Sequence, residues 1–379
     1  MDKLRIISPR RSGDVFIKNL HSNSPDIVVV APITIVDDNS KIRWQAILDF
    51  AQKSALKYLV VIDKTPNRSA TEFFLQKEQF RIDYLVILQR SELDTLFDSL
   101  GEIKLDRNLW IVQLHDDDTW DGLLSLPENP EVKTVYFSNY FVAKPNGRTQ
   151  KIDTFDYPNR IVFSLVPSVV WNIFSKMIEN QNFHVAGSFD YTLLSLAKYT
   201  CNFVYTPGFS YYWHNDNWET RQKARIHLTR LATHDGWGDW ASPEIANFNR
   251  TLDSFTALAS SISYLSNNQL NAEINRLLFQ FKSTLRNRIK IILEICITKA
   301  VSKLSFNFFN FDQVINAKLG YKLFLRRINK VSTITEVIRE VEYLQRDFNF
   351  IELERRFEVW QLNLKKLDLH LKSELGYKS

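Results

Sequence analysis

The sequence predicts an α/β fold, with a mostly parallel, mixed sheet in the first part of the chain and a mainly α-helical C-terminal region. Three observations carry the expectation. Near-continuous apolar runs, "DIVVV", "KYLVVID" and "LWIVQL", alternate with stretches of helical spacing between residues 26 and 114, the pattern of parallel strands covered on both faces. Beyond about Ser242 the periodicity is almost wholly helical. At 379 residues and 45% hydrophobic content, the chain can bury a large core and divide in two. The expected domains are 1–241 and 242–379.

Along the chain, Asp26 to Ile35 is a β-branched run broken near Pro32, and "KIRWQAILDFAQKSA" places Ile42, Ala46, Ile47 and Phe50 at helical spacing. Strands follow at Lys57 to Asp63, Ile82 to Leu88 and Leu109 to Leu114, with helical stretches at Thr71 to Gln79 and Glu92 to Leu100. "TVYFSNYFV", a turn at "KPNG" and "NRIVFSLVPSVVW" read as further strands, some antiparallel. A helix is expected at Tyr191 to Lys198, then an aromatic loop from Tyr211 to Thr220. Thr333 with Glu336 forms a capping-box pattern before Val337, Val341 and Leu344. Leu353, Phe357, Trp360, Leu364, Leu367 and Leu371 make a heptad seam, which fits either a core-facing helix or self-association.

Cys201 and Cys296 match neither a disulfide framework nor a zinc knuckle and read as small apolar residues. Residues 241–379 hold 21 Lys and Arg against 14 Asp and Glu, an excess of seven positive charges within a net charge of +5. That excess fits attraction to an anionic surface or merely solvated helix faces. With no basic segment leading into an apolar run and no apolar stretch of about 18 residues, the expected location is cytoplasmic.

The stretch "LWIVQLHDDDTWDG", Leu109 to Gly122, runs from an apolar strand into three adjacent aspartates. Burying such a cluster costs several kcal/mol unless a cation neutralises it, and a divalent metal does so directly. Side chains alternate along an extended chain, so His115 and Asp117 share one face while Asp116 and Asp118 share the other. One reading is a metal and diphosphate site at the carboxyl edge of an open α/β sheet. A second is a calcium loop, since Asp117, Thr119, Asp121, Gly122 and Glu128 fall at EF-hand positions, although such a loop is entered from a helix. The third is a solvated acidic turn.

Strand, "AP", helix, a strand ending in Asp63 and an acidic triplet before Trp120 together resemble the nucleotide-sugar-binding half of the GT-A glycosyltransferases. The likeness is to bacterial surface-polysaccharide (capsule, O-antigen or lipopolysaccharide) enzymes of the family-2 type, whose motif reads Leu-Asp-x-Asp-Asp-x-Trp. Leu114, Asp117, Asp118 and Trp120 match it, and His115 stands where the family has its first aspartate. The resemblance spans roughly residues 25 to 220. It implies a GT-A-like domain in which Pro32, Thr34 and Asp63 lie around the nucleoside and His115 and Asp116 near the ribose and diphosphate. Asp117 would be the direct ligand of Mn2+ or Mg2+, with Asp118 beside it and His214 completing the metal shell, while Asp116 and Asp118 form the alternative register.

Under the same resemblance, Asp190 is the general base of an inverting enzyme, although an aspartate there also suits a helix N-cap. Tyr211, Tyr212, Trp213, Trp218, Trp237 and Trp240 are candidates for an acceptor platform or lid. The implied function is sugar transfer from a nucleotide-diphosphate sugar to a glycan or lipid-linked glycan acceptor, with no nucleic-acid partner. The basic helical region would contact the inner face of the cytoplasmic membrane or a second copy. The rival readings are a noncatalytic glycan- or protein-binding module on a decayed transferase fold, suggested by His115, and a nucleotidyltransferase. The latter normally brings a glycine-rich phosphate loop that "APITIVDDNSK" lacks.

Overall fold

Valine- and isoleucine-rich segments set the first sheet, because β-branched side chains buried on both faces suit a central parallel strand. In a computed structural model, described over residues 4–7, 18–20, 22–33, 38–63, 84–89, 103–115, 118–143, 148–151, 158, 161–181, 189–214, 243–281, 326–348 and 354–375, these segments form a six-stranded sheet. Its strands are β1 (Leu4–Ile7), β3 (Asp26–Ile33), β4 (Tyr58–Asp63), β5 (Tyr84–Gln89), β7 (Leu109–Gln113) and β11 (Val166–Pro167). The spatial order is β1-β5-β4-β3-β7-β11. Every pair is parallel except β11 with β7. Residues 27–31 and 109–114 are buried throughout. The α/β class with a mostly parallel, mixed sheet and a helical C-terminal region is thus the observed one.

Pro32 sits inside β3 without cost to the ladder. The Val30 carbonyl accepts from Leu114 N at 3.0 Å, so alternation directs Ala31 toward β4 and Pro32 back toward the β7 side. The last β7 pairing is Val30 with Gln113, and the missing proline N–H therefore lies beyond it.

Helix α1 (Asp38–Lys53) buries Trp44, Ile47, Leu48 and Ala51, a stripe at helical spacing. Of the expected face, Ile47 and Phe50 are buried, but Ile42 is 67% exposed and Ala46 is exposed. The stripe is rotated because Trp44 carries the largest apolar surface. The helical stretches expected at 71–79 and 92–100, and the turn at 144–147, lie outside the described residues.

A second, four-stranded sheet has the order β10-β9-β12-β8, from β8 (Thr119–Gly122), β9 (Thr134–Ala143), β10 (Thr149–Lys151) and β12 (Asn202–His214). β12 runs parallel to β9 and antiparallel to β8. The two residue runs that reading by pattern misplaced lie here and beside it. Tyr211 to His214 belongs to a strand, not a loop, since the "TPG" interruption hides a ladder that resumes after a bulge. Within "NRIVFSLVPSVVW", a 3-10 turn (Ile161–Phe163) and the two residues of β11 lead into helix α2 (Ser168–Gln181). Its buried Val170, Trp171, Phe174 and Met177 keep helical spacing past the quoted run. A two-stranded accessory sheet pairs β2 (Lys18–Leu20) with β6 (Ile103–Leu105) in parallel.

The chain forms two compact units, Met1–Asn180 with Leu196–Leu228 and Gln181–Ser195 with Thr229–Ser379, the division falling inside helix α3 (Phe189–Thr200). The expected boundary at 241/242 lies outside the described residues. The second unit includes α4 (Pro243–Ser260), α5 (Asn267–Gln280), α6 (Ile334–Phe348) and α7 (Glu354–Leu375). The capping box is present: Glu336 N donates to Thr333 Oγ1 at 3.2 Å and Thr333 N to Glu336 Oε2 at 3.1 Å. The backbone N–H of Ser332, donating to the same carboxylate, leads the effects that lower the Glu336 pKa. In α7, Phe357, Trp360, Leu364 and Leu367 are fully buried against their own unit, so this part of the heptad seam is core rather than a free association face. Among the described residues, no helix is long and apolar enough to cross a membrane. Burial pushes the Cys201 thiol up to about 11, which suits a packing residue rather than a nucleophile.

Candidate functional site

The strand order locates the site. From β3 the chain builds outward through β4 and β5, then returns with β7 on the other side of β3, which makes the β3/β7 junction a topological switch point. Open α/β sheets leave a crevice there, outside the carboxyl ends of the two strands. β3 ends in Pro32 and Ile33, and β7 ends in Gln113, with Leu114 and His115 following. The acidic turn therefore begins at the carboxyl edge of the sheet, beside this junction. It is entered from a strand and left through β8, which rules out the helix-entered calcium loop.

Four side chains shape this edge. Asp118 is 5% exposed, and its Oδ2 accepts from the Tyr211 hydroxyl at 2.6 Å. Its backbone N–H donates to the His115 carbonyl at 3.3 Å, closing the turn. His115 Nδ1 lies 3.7 Å from Asp118 Oδ2, and its Nε2 lies 2.7 Å from Gln113 Nε2. An amide nitrogen can only donate, so in this orientation Nε2 is the acceptor and Nδ1 carries the proton facing Asp118. Among the described residues, buried Gln113 Oε1 has no hydrogen-bond partner.

Aromatic rings wall this chain of polar groups. Phe163 stacks on Tyr211 at 3.7 Å and meets the His115 ring edge-on at 5.4 Å, and Tyr140 stacks on Phe163 at 5.8 Å. Burial, followed by the Asp118 charge and hydrogen bond, pushes the Tyr211 phenol well above its ordinary value. It therefore stays protonated and keeps donating. Tyr211 is 1% exposed, so it serves as an internal tether for Asp118 and not as part of a sugar-stacking platform. Trp120 is likewise turned into packing, with its ring 5.1 Å from Phe50.

Asp63 closes β4, paired in register with Ile33 at the end of β3, so the carboxyl ends carrying Pro32 and Asp63 are adjacent. Tyr212 pairs with Thr119 and stacks on Phe141 at 4.8 Å. Trp213 and His214 continue β12 beyond its last β8 pairing, at the end where the acidic turn lies. Asp190 is the second residue of α3, in the segment grouped with the second unit. Thr34, Asp116, Asp117, Trp218, Trp237 and Trp240 lie outside the described residues. Among the described residues, no group of three or more His, Cys, Asp or Glu comes together as a metal cradle. Sequence reasoning missed Gln113 and Phe163, and the one signal for Gln113 was a polar residue inside an otherwise apolar strand.

The sequence matches no protein-family model and no curated protein. Among solved structures it is similar to S. aureus TarS 1–349 in complex with UDP-GlcNAc, with 9% identity, 91% of this chain and 92% of that chain covered, and a TM-score of 0.42. The same protein in complex with UDP gives 10% identity, 91% coverage of each chain and a TM-score of 0.39.

Proposed function

We propose that the chain is a glycosyltransferase that binds a nucleotide-diphosphate sugar and a divalent cation at the β3/β7 switch point and transfers the sugar to a bacterial surface glycan. The observation that carries the reading is the acidic turn at the carboxyl edge of a parallel sheet, where its strand order reverses. In this reading Pro32, Thr34 and Asp63 surround the nucleoside, and His115 and Asp116 face the ribose and diphosphate. The donor chemistry of Asp117 and His214, carboxylate oxygen with imidazole nitrogen, fits Mn2+ and, with oxygens alone, Mg2+, while Asp118, committed to Tyr211, stands beside them.

The ion, when bound, would offset charge on the departing diphosphate. The chain's own residues do the rest. Tyr211 holds Asp118 at a fixed depth and so anchors the end of the acidic turn that leads into β8. Asp190 takes the proton from the acceptor hydroxyl as that oxygen bonds to the anomeric carbon and the bond to the diphosphate breaks. This inverts the anomeric centre and releases the nucleoside diphosphate. Tyr212, Trp213, Trp218 and Trp237 would hold or cover the acceptor, with the basic helical region at the membrane face or a second copy.

The test is sugar transfer with manganese present, comparing the native chain with Asp117→Ala and Asp190→Asn. Each variant should lose most of its transfer, and full activity in both would sink the site assignment. The noncatalytic reading has its own support, because both ring nitrogens of His115 face protein groups. Folded protein that binds glycan but never a nucleotide diphosphate would favour it.

A further inference from the structure

A cavity of about 160 Å³ opens in the first unit at the far end of β8 from the acidic turn. Local sequence builds it. The register of β12 against β9 shifts between Tyr205 and Ser210, so "TPGF", Thr206 to Phe209, leaves the ladder as a wide bulge. Gly122 accommodates the bulge with a φ of +88°, and a Cβ there would lie 2.3 Å from the Gly208 carbonyl oxygen, an approach open only to glycine.

The lining has a definite chemistry. Phe163, Phe209, Leu165 and Pro207 give it apolar walls, and Ser125, Ser138 and Thr206 add hydroxyls. Ser138 Oγ donates to the Phe209 carbonyl and Thr206 Oγ1 to that of Phe137 at 3.3 Å, leaving both oxygens able to accept. No Asp, Glu, Lys, Arg or His stands among the described residues of its wall. A diphosphate or carboxylate would find no counter-charge there, and burying one unpaired is costly. A preformed cavity of roughly 150 Å³ holds a benzene-sized molecule, so this partly open one can take one face of a pyranose and not a nucleotide.

We infer that this cavity binds one neutral carbohydrate ring, its C–H face against Phe163 and Phe209 and its hydroxyls on Ser138 and Thr206. Resting on the transferase reading, that ring is a unit of the acceptor glycan held away from the point of transfer. One aromatic layer connects the two places: Phe163 lines the cavity and stacks on Tyr211, whose hydroxyl holds Asp118. A seated ring therefore braces the tether of the acidic turn.

The experiment is saturation-transfer NMR on the intact chain with methyl glycosides of neutral hexoses and N-acetylhexosamines, and a methyl uronide as the charged control. Ser125→Trp, on an exposed stretch, places an indole across the mouth, and Thr206→Val removes a hydroxyl at nearly constant volume. Neutral glycosides should bind the native chain, with affinity falling about ten-fold or more in Ser125→Trp and less in Thr206→Val. The uronide should bind weakly or not at all. No neutral glycoside binding, equal binding to native chain and both variants, or equal binding of the uronide would overturn the inference. Nucleotide-diphosphate binding, followed in the same samples, should survive in both variants. If it is absent throughout while glycosides bind, the transferase reading fails and the cavity assignment stands.

Discussion

Asp118 in the first unit and Asp253 in the second are both buried carboxylates held by an aromatic donor. Tyr211 donates its hydroxyl to Asp118 at 2.6 Å, and Trp360 donates Nε1 to Asp253 at 2.9 Å. Their exposures, 5% and 0%, hardly differ, so burial and partnering do not separate them. Position does. Asp253 lies within α4 and ties it to α7 of the same helical unit. Asp118 ends a turn at the carboxyl edge of a parallel sheet, beside a His115 side chain that keeps 27% of its surface open. The same device serves helix register in one unit and fixes an acidic turn at a sheet edge in the other.

The largest effect is expected at Gly122, because Gly122→Ala combines a left-handed backbone with a collision against Gly208. It should cost about 3 kcal/mol, near the upper end for a strained backbone position, read as a lower denaturant midpoint for the first unit alone. Trp360→Phe leaves the Asp253 carboxylate short of a donor and should cost about 2 kcal/mol. It should leave nucleotide-diphosphate binding unchanged, since that contact belongs to helix packing.

Tyr211→Phe is the matching change at the other carboxylate. It should cost about 1–2 kcal/mol and, unlike Trp360→Phe, weaken metal-dependent ligand binding. Because the folded phenol is raised above its unfolded value of 10.0, its contribution is complete below that pH and is lost as pH rises through the folded value. One tyrosine should therefore ionise later than the others in an alkaline absorbance titration, and only as the chain unfolds. The smallest effect is Thr333→Ala at the α6 cap, about 1 kcal/mol. Glu336 is lowered below its ordinary 4.5, so its share of the cap is present above that pH and fades as pH falls through the folded value. The difference between native chain and Thr333→Ala should narrow in acid unfolding curves.

Much of the fold was legible because its signals are local. The near-continuous apolar runs of β3, β4 and β7 announce a buried parallel sheet, and Thr333 with Glu336 announces the start of α6. What stayed hidden depends on partners distant in sequence. The strand character of Tyr211 to His214 is set by pairing with β8 and β9 across a bulge, and no period-2 pattern survives "TPGF". The acidic turn could be found from "HDDDTW", but the inward role of Asp118 could not, since its donor lies 93 residues away. Burial of Phe357 and Trp360 places this part of the α7 seam in the core, where spacing favoured the core but left self-association open.

Ligand binding at the β3/β7 switch point is the property that decides the proposed function. The direct measurement is calorimetric titration of the intact chain with a nucleoside diphosphate, with and without manganese, alongside Asp117→Ala and Trp360→Phe. Saturable binding is expected that requires the metal, disappears in Asp117→Ala and persists in Trp360→Phe. No binding to folded protein, or equal binding without metal and in Asp117→Ala, would contradict the proposed function.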